Sequence, residues 1–189
     1  MIRRVALLAF LASAGLAAHA ADWTIATLFA ELAKARPERA AFSEKKYLAL
    51  LDRPVESSGE LAFTPPDKLE KVTLKPRPER VTVDRDTVTL ERNGKRQSLR
   101  LKENPAVAVL VESVRGTMAG DLAALSRTYS LGMQGDAAKW RLVLRPLDPS
   151  LATLVERVEV AGSQARVTTV EIFQADGDRS VMALTPLAR

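Results

Sequence analysis

The chain has 189 residues, with 28 Lys and Arg against 23 Asp and Glu, a single His and no Cys. A formal charge of +5 is mildly basic and is not a nucleic-acid signature. The absence of cysteine removes disulfides, a thiol nucleophile and an acylated lipoprotein terminus.

The single histidine, His19, falls in a segment with the order of an export signal. Arg3 and Arg4 supply the positive start, Val5 to Leu16 form an apolar run of about twelve residues, and Ala18-His19-Ala20 is an A-x-A cleavage site. That run is well short of the roughly 20 residues a membrane-spanning helix needs. Residues 1–20 are therefore expected to leave, and residues 21–189 to remain as one domain. Arg3 and Arg4 go with the signal, so the charge falls from +5 to +3. The exported chain has no histidine, no membrane anchor and no cross-link, which points to a bacterial periplasm.

The mature chain opens with Ile25, Leu28, Phe29 and Leu32 on one helical face, and Pro37 is the expected stop. From there the texture turns to short alternating runs. Strands are predicted near Ala40 to Leu50, Val55 to Phe63, Leu69 to Leu74, Arg80 to Asp84, Thr87 to Arg92 and Arg96 to Leu101. Asn93-Gly94 between two such runs is a strong hairpin signal, because both central residues of a type I′ turn need positive φ.

At Asn104-Pro105 an N-cap residue precedes a proline suited to the first helical position. Val107, Leu110, Val111, Val114 and Met118 follow at helical spacing. Gly120 is the expected end, and Asp121 the cap of a short second helix through Leu122 and Leu125. Strands return near Tyr129 to Met133, Trp140 to Arg145, Val155 to Val160, Ala165 to Gln174 and Ser180 to Leu184. Their turns are placed at Gly135-Asp136, Gly162-Ser163 and Asp176-Gly177.

These elements make a mainly β, α+β fold. About eleven antiparallel strands, six then five, should curl into an open half-barrel. The N-terminal helix and the mid-chain helical insertion have apolar faces to bury, and the concave side of the sheet is the largest apolar surface available.

Four segments resemble the periplasmic outer-membrane lipoprotein carriers, the LolA-like family. They are Ala41-Phe42-Ser43-Glu44-Lys45 after the first helix, Gly59-Glu60-Leu61-Ala62-Phe63 with Pro65-Pro66 after it, the insertion opened by Asn104-Pro105, and Trp140-Arg141-Leu142-Val143-Leu144-Arg145-Pro146. The resemblance implies an unclosed barrel whose apolar cavity shields acyl chains in transit from an inner-membrane exporter to an outer-membrane acceptor. It also implies a departure. The family's carriers place an arginine before the proline of the second-strand turn, where it holds the helical lid closed, and this chain has Pro65 there. A divergent branch follows, with a lipid, glycolipid or lipoprotein as cargo.

Candidates for the cavity wall are Leu61, Phe63, Leu69, Val81, Val83, Trp140, Leu142, Leu144, Ile172 and Met182, with Leu110, Val111, Val114 and Met118 from the lid. Each of these positions is also what an ordinary packed core requires, so only the set speaks for a ligand. Trp140 reads as a buried sheet anchor. Lys45 and Lys46 alternate faces, one towards solvent and the other within reach of the cavity mouth, and a solvated edge is the preferred reading. Asp84 with Asp86, and Asp176 with Asp178, read as turn chemistry rather than a calcium site.

No serine has a histidine partner, and no G-x-S-x-G or phosphate loop is present. The expectation is a non-catalytic, monomeric carrier with no cofactor, metal or nucleic acid. A periplasmic chaperone or envelope-stress sensor that recognises peptides on the same fold is the alternative.

Overall fold

The computed structural model describes residues 23–34 and 38–187; the export signal and the helix stop at Pro37 lie outside the described residues. Helix α1 (Ile25–Leu32) starts where the Thr24 hydroxyl accepts a hydrogen bond from the Thr27 amide, and it buries Leu28, Phe29 and Leu32. It ends at Leu32, one turn before the expected proline.

Eleven strands follow: β1 (Glu38–Tyr47), β2 (Val55–Thr64), β3 (Lys68–Lys75), β4 (Glu79–Asp84), β5 (Thr87–Arg92), β6 (Lys95–Arg100), β7 (Tyr129–Gly135), β8 (Trp140–Pro146), β9 (Val155–Ser163), β10 (Arg166–Gln174) and β11 (Arg179–Pro186). They form one antiparallel sheet in the order β6-β5-β4-β3-β2-β1-β11-β10-β9-β8-β7. Two meanders are thus joined along a seam, with Phe42 of β1 opposite Leu184 of β11. Strands β6 and β7 stand at opposite edges, so the barrel is open as expected.

The helical insertion is α2 (Pro105–Ala119) and α3 (Leu122–Thr128), preceded by a single tight turn at Leu101–Glu103. Gly120 adopts φ 70° and closes α2, the role its position predicted. Asp121 accepts from the Ala124 amide and starts α3. Asn104 sits at the start of α2, but its side chain turns back and donates to the Arg100 carbonyl at 2.9 Å instead of capping the helix. Asn93 and Gly94 take φ 52° and 71°, the predicted hairpin.

Three local expectations are corrected. Strand β1 ends at Tyr47 rather than Leu50, because Leu48 to Pro54 leave the ladder as a loop whose Ala49 amide bonds to Asp178 Oδ1. The β9–β10 turn is Gln164-Ala165, with Gln164 at φ 51°, and Gly162 lies inside β9. Its small size serves packing: a Cβ there would sit 2.4 Å from the Trp140 ring. Third, α4 (Pro149–Ala152) interrupts the β8–β9 connection, begun by Asp148, which accepts from both the amide and the hydroxyl of Ser150.

The main core joins α1, α2 and α3 to β7–β11 and the adjoining β1 and β2, with Trp140, Leu142, Leu144, Val158 and Val160 all but sealed from water. A smaller cluster, Val83, Val88 and Leu101, lies on the other side. Helix α2 buries Val109, Ser113, Gly116 and Thr117 most deeply, while the predicted apolar set Val107, Leu110, Val111, Val114 and Met118 is half-buried. The two hydroxyls tolerate burial because they donate to carbonyls of the same helix, Ser113 to Leu110 and Thr117 to Ser113. Gly116 lets Leu125 of α3 close in, and the Tyr129 hydroxyl donates to the Val109 carbonyl.

Candidate functional site

A cavity of about 670 Å³ separates the C-terminal ends of α1 and α2 from the central strands. Leu32 and Met118 face it from the helices; Ala40, Leu61, Phe63, Val167 and Leu184 face it from β1, β2, β10 and β11. Alternation produces this wall: Leu61 and Phe63 are two apart on β2, and Ala40 pairs with Leu61 across the ladder. Its rim is polar, with Glu38, Arg39, Thr64 and Arg166. Arg39 is paired to Glu60, whereas Arg166 has no ion-pair partner among the described residues.

Of the sequence-predicted wall, Leu61, Phe63 and Met118 meet around this space. Trp140, Leu142 and Leu144 are at most 1 % exposed and are packed in the main core, away from the cavity. The indole of Trp140 donates to the Gln164 carbonyl at 2.8 Å, as a sheet anchor. Leu110, Val114, Ile172 and Met182 pack half-buried against that core. Leu69, Val81 and Val111 do so against the smaller cluster around Val83, with Leu69 touching both. Leu32, Ala40, Val167 and Leu184 were missed as wall residues. Leu32 comes from α1, and the strand residues meet only through the β1–β11 seam, a long-range pairing.

Beyond Phe42 the inner face of β1 changes character. Glu44 is 5 % exposed and accepts from Lys71 Nζ at 2.5 Å, Ser180 Oγ at 2.7 Å and Ser57 Oγ at 3.1 Å. Burial alone pushes this carboxyl up, but the Lys71 ammonium, these hydrogen bonds and Lys46 at 3.9 Å hold it below its ordinary value. One buried charge therefore ties β1, β2, β3 and β11. Lys71 also lies 4.7 Å from the centre of the Phe42 ring, a cation–π contact. Lys45 pairs with Glu56 at 3.0 Å, and Lys46, on the face of Glu44, is exposed at the end of β1 away from the cavity, so neither lysine sits at the cavity mouth.

The lid is fastened from its own side. Arg115 of α2 donates to the Arg85 carbonyl in the β4–β5 turn at 2.6 Å and is braced by Glu112. Its side chain is 13 % exposed. Pro65-Pro66, at the end of β2, supplies no such donor. Asp176 accepts from the Asp178 amide, the turn role expected of that pair. Among the described residues no helix is long and apolar enough to cross a membrane.

Residues 14–189 match the family described as outer membrane lipoprotein carrier protein LolA-like. Among solved structures, the chain is similar to a LolA superfamily protein, NE2245, from Nitrosomonas europaea, with 12% identity over 88% of this chain and 94% of that one and a TM-score of 0.47. A DUF1329 family protein from Desulfovibrio piger is 10% identical over 85% and 88% of the two chains, with a TM-score of 0.48. LprF from Mycobacterium bovis is 14% identical over 87% and 93%, with a TM-score of 0.37. No curated protein matches the chain.

Proposed function

The chain belongs to the LolA-like outer membrane lipoprotein carrier family, and from that premise we propose that residues 1–20 direct export and residues 21–189 carry an acyl-bearing lipid, glycolipid or lipoprotein through the periplasm. The observation that carries this reading is the cavity of about 670 Å³ between apolar strands and the helical lid. Its size is that of a small-molecule site, about 300–1,000 Å³.

Burial of hydrocarbon supplies the hold without any covalent or ionic step. Each buried methylene contributes about 0.8 kcal/mol, so a chain of roughly fourteen gains on the order of 11 kcal/mol before ordering costs. Leu61, Phe63, Leu184, Val167 and Met118 supply the apolar contact. Arg166 at the rim complements an anionic headgroup, which sets the orientation of the cargo. Delivery runs from an inner-membrane exporter towards an outer-membrane acceptor, and the protein acts as a monomer without a cofactor.

Native mass spectrometry of gently purified protein is expected to show acyl-bearing small molecules that organic extraction releases. Leu61→Trp fills the cavity and is expected to weaken uptake of a fluorescent fatty acid by about tenfold, roughly 1.4 kcal/mol. An empty protein that also fails to take up the probe, or a protein that releases peptides instead, overturns carriage.

A further inference from the structure

The hollow beneath the lid is bounded on every side by packed groups. Towards β8 and β9 it is shut by Leu142, Leu144 and Val160, at most 1 % exposed, and the Trp140 ring fills the room beside Gly162. Towards β4 and β5 it is shut by the cluster of Val83, Val88 and Leu101.

The lid does not part easily either. Gly120, at the end of α2, lies against the backbone of Phe29 and Ala33 at the end of α1 and leaves no room for a Cβ, and Gly116 meets the Leu125 side chain of α3. Arg115 ties the same helix to the β4–β5 turn. The three helices therefore form one interlocked block over the cavity, and interlocked packing resists gradual widening.

That makes volume a selector. A methylene takes roughly the volume of a water molecule, about 30 Å³, so a chain of roughly eighteen carbons needs on the order of 500 Å³, two such chains about 1,000 Å³ and three about 1,500 Å³. The cavity offers about 670 Å³. One chain fits with room to spare, and a second does not. The wall gives the same answer, because beyond Leu61, Phe63, Met118, Val167 and Leu184 a chain meets Glu38, Arg39, Thr64 and Arg166. Hydrocarbon among those rim groups would lose the burial that holds the first chain. The rim carries both signs, Glu38 as well as Arg166, so chain number rather than headgroup charge is the discriminating feature.

We infer that the cargo, on the carriage reading above, is a single-chain amphiphile: one long hydrocarbon chain on one polar headgroup, as in a fatty acid or a lysophospholipid. Diacyl and triacyl molecules are excluded by size.

The test is displacement of a bound fluorescent fatty acid by lipids presented in the same detergent micelles. Oleoyl lysophosphatidylethanolamine and dioleoyl phosphatidylethanolamine share headgroup and chain and differ in chain number. The first is expected to displace the probe at a concentration at least about tenfold lower than the second, and native mass spectrometry should count one lysolipid per protein. A triacylated lipopeptide should displace no better than the two-chain lipid. Met118→Ala and Phe63→Ala enlarge the hollow and should each narrow the gap at least about threefold, with thermal unfolding measured on both to show that they fold. Equal displacement by one-chain and two-chain lipids, preference for the larger molecules, two lysolipids per protein, or an unchanged gap in the folded variants overturns single-chain selection and leaves carriage standing. Failure to take up the probe or any of these lipids overturns carriage, and single-chain selection with it.

Discussion

The two wings of the sheet are built from the same alternating pattern and packed differently. On β8 and β9, Trp140, Leu142, Leu144, Val158 and Val160 are at most 1 % exposed beneath the helices. On β3 and β4, Leu69 and Val81 are half-buried, and Val83 alone is fully enclosed. Helix α2 makes the difference, because it lies over β9 and β10 and reaches β4–β5 through Arg115. Alternation therefore announces an inward face without saying whether that face meets solid core, a small satellite cluster or open space.

The sharpest way to break this contrast is to cut into each wing. Trp140→Ala removes the largest enclosed side chain and leaves Gly162 facing a void; a loss of about 3–5 kcal/mol in denaturant unfolding is expected. Leu69→Ala on the other wing is expected to cost about 1–2 kcal/mol, because that side chain is already half in water. Equal losses would mean that both wings are packed alike. Between them, Arg115→Ala removes the tie from lid to β4–β5 turn. About 1 kcal/mol of stability should go with it, together with faster exchange of amide hydrogens in α2 and faster release of a bound fatty acid. Unchanged exchange would show that the lid is held by packing alone.

The smallest effect concerns the seam between the wings and depends on pH. Glu44 is held below its ordinary value in the folded protein. Its contribution is therefore fully present above the usual carboxylate range and is lost as pH falls through the lowered folded value. Thermal unfolding should show Glu44→Gln less stable than wild type at neutral pH, with the gap closing on acidification. A gap that is independent of pH would remove the ion pair with Lys71 from the account.

What was legible in the chain was local. Asn93-Gly94, Gly120 and Asp121 each act on their immediate neighbours, and each does what its residue type demands. Gly162-Ser163 has the composition of a turn, and the partner that explains Gly162 inside β9, the Trp140 ring, comes from another strand. Asp148-Pro149 has the same helix-opening grammar as Asn104-Pro105, but four residues leave no periodicity to see. The cavity wall was half legible for the same reason: Leu61 and Phe63 lie on one strand, whereas Leu184 and Val167 join them only once the seam exists. Glu44 stood within an apolar alternation, and its burial depends on Lys71 and Ser180, far away in sequence.

That seam also sets a timetable. Each meander can assemble from neighbouring hairpins, but β1 must wait for β11, whose Ser180 binds Glu44 across 136 positions of chain. A nascent polypeptide emerging from its amino end thus remains two unfinished halves until β11 arrives, and removing Arg179–Pro186 would leave both strand rims unzipped and prone to stick to other chains.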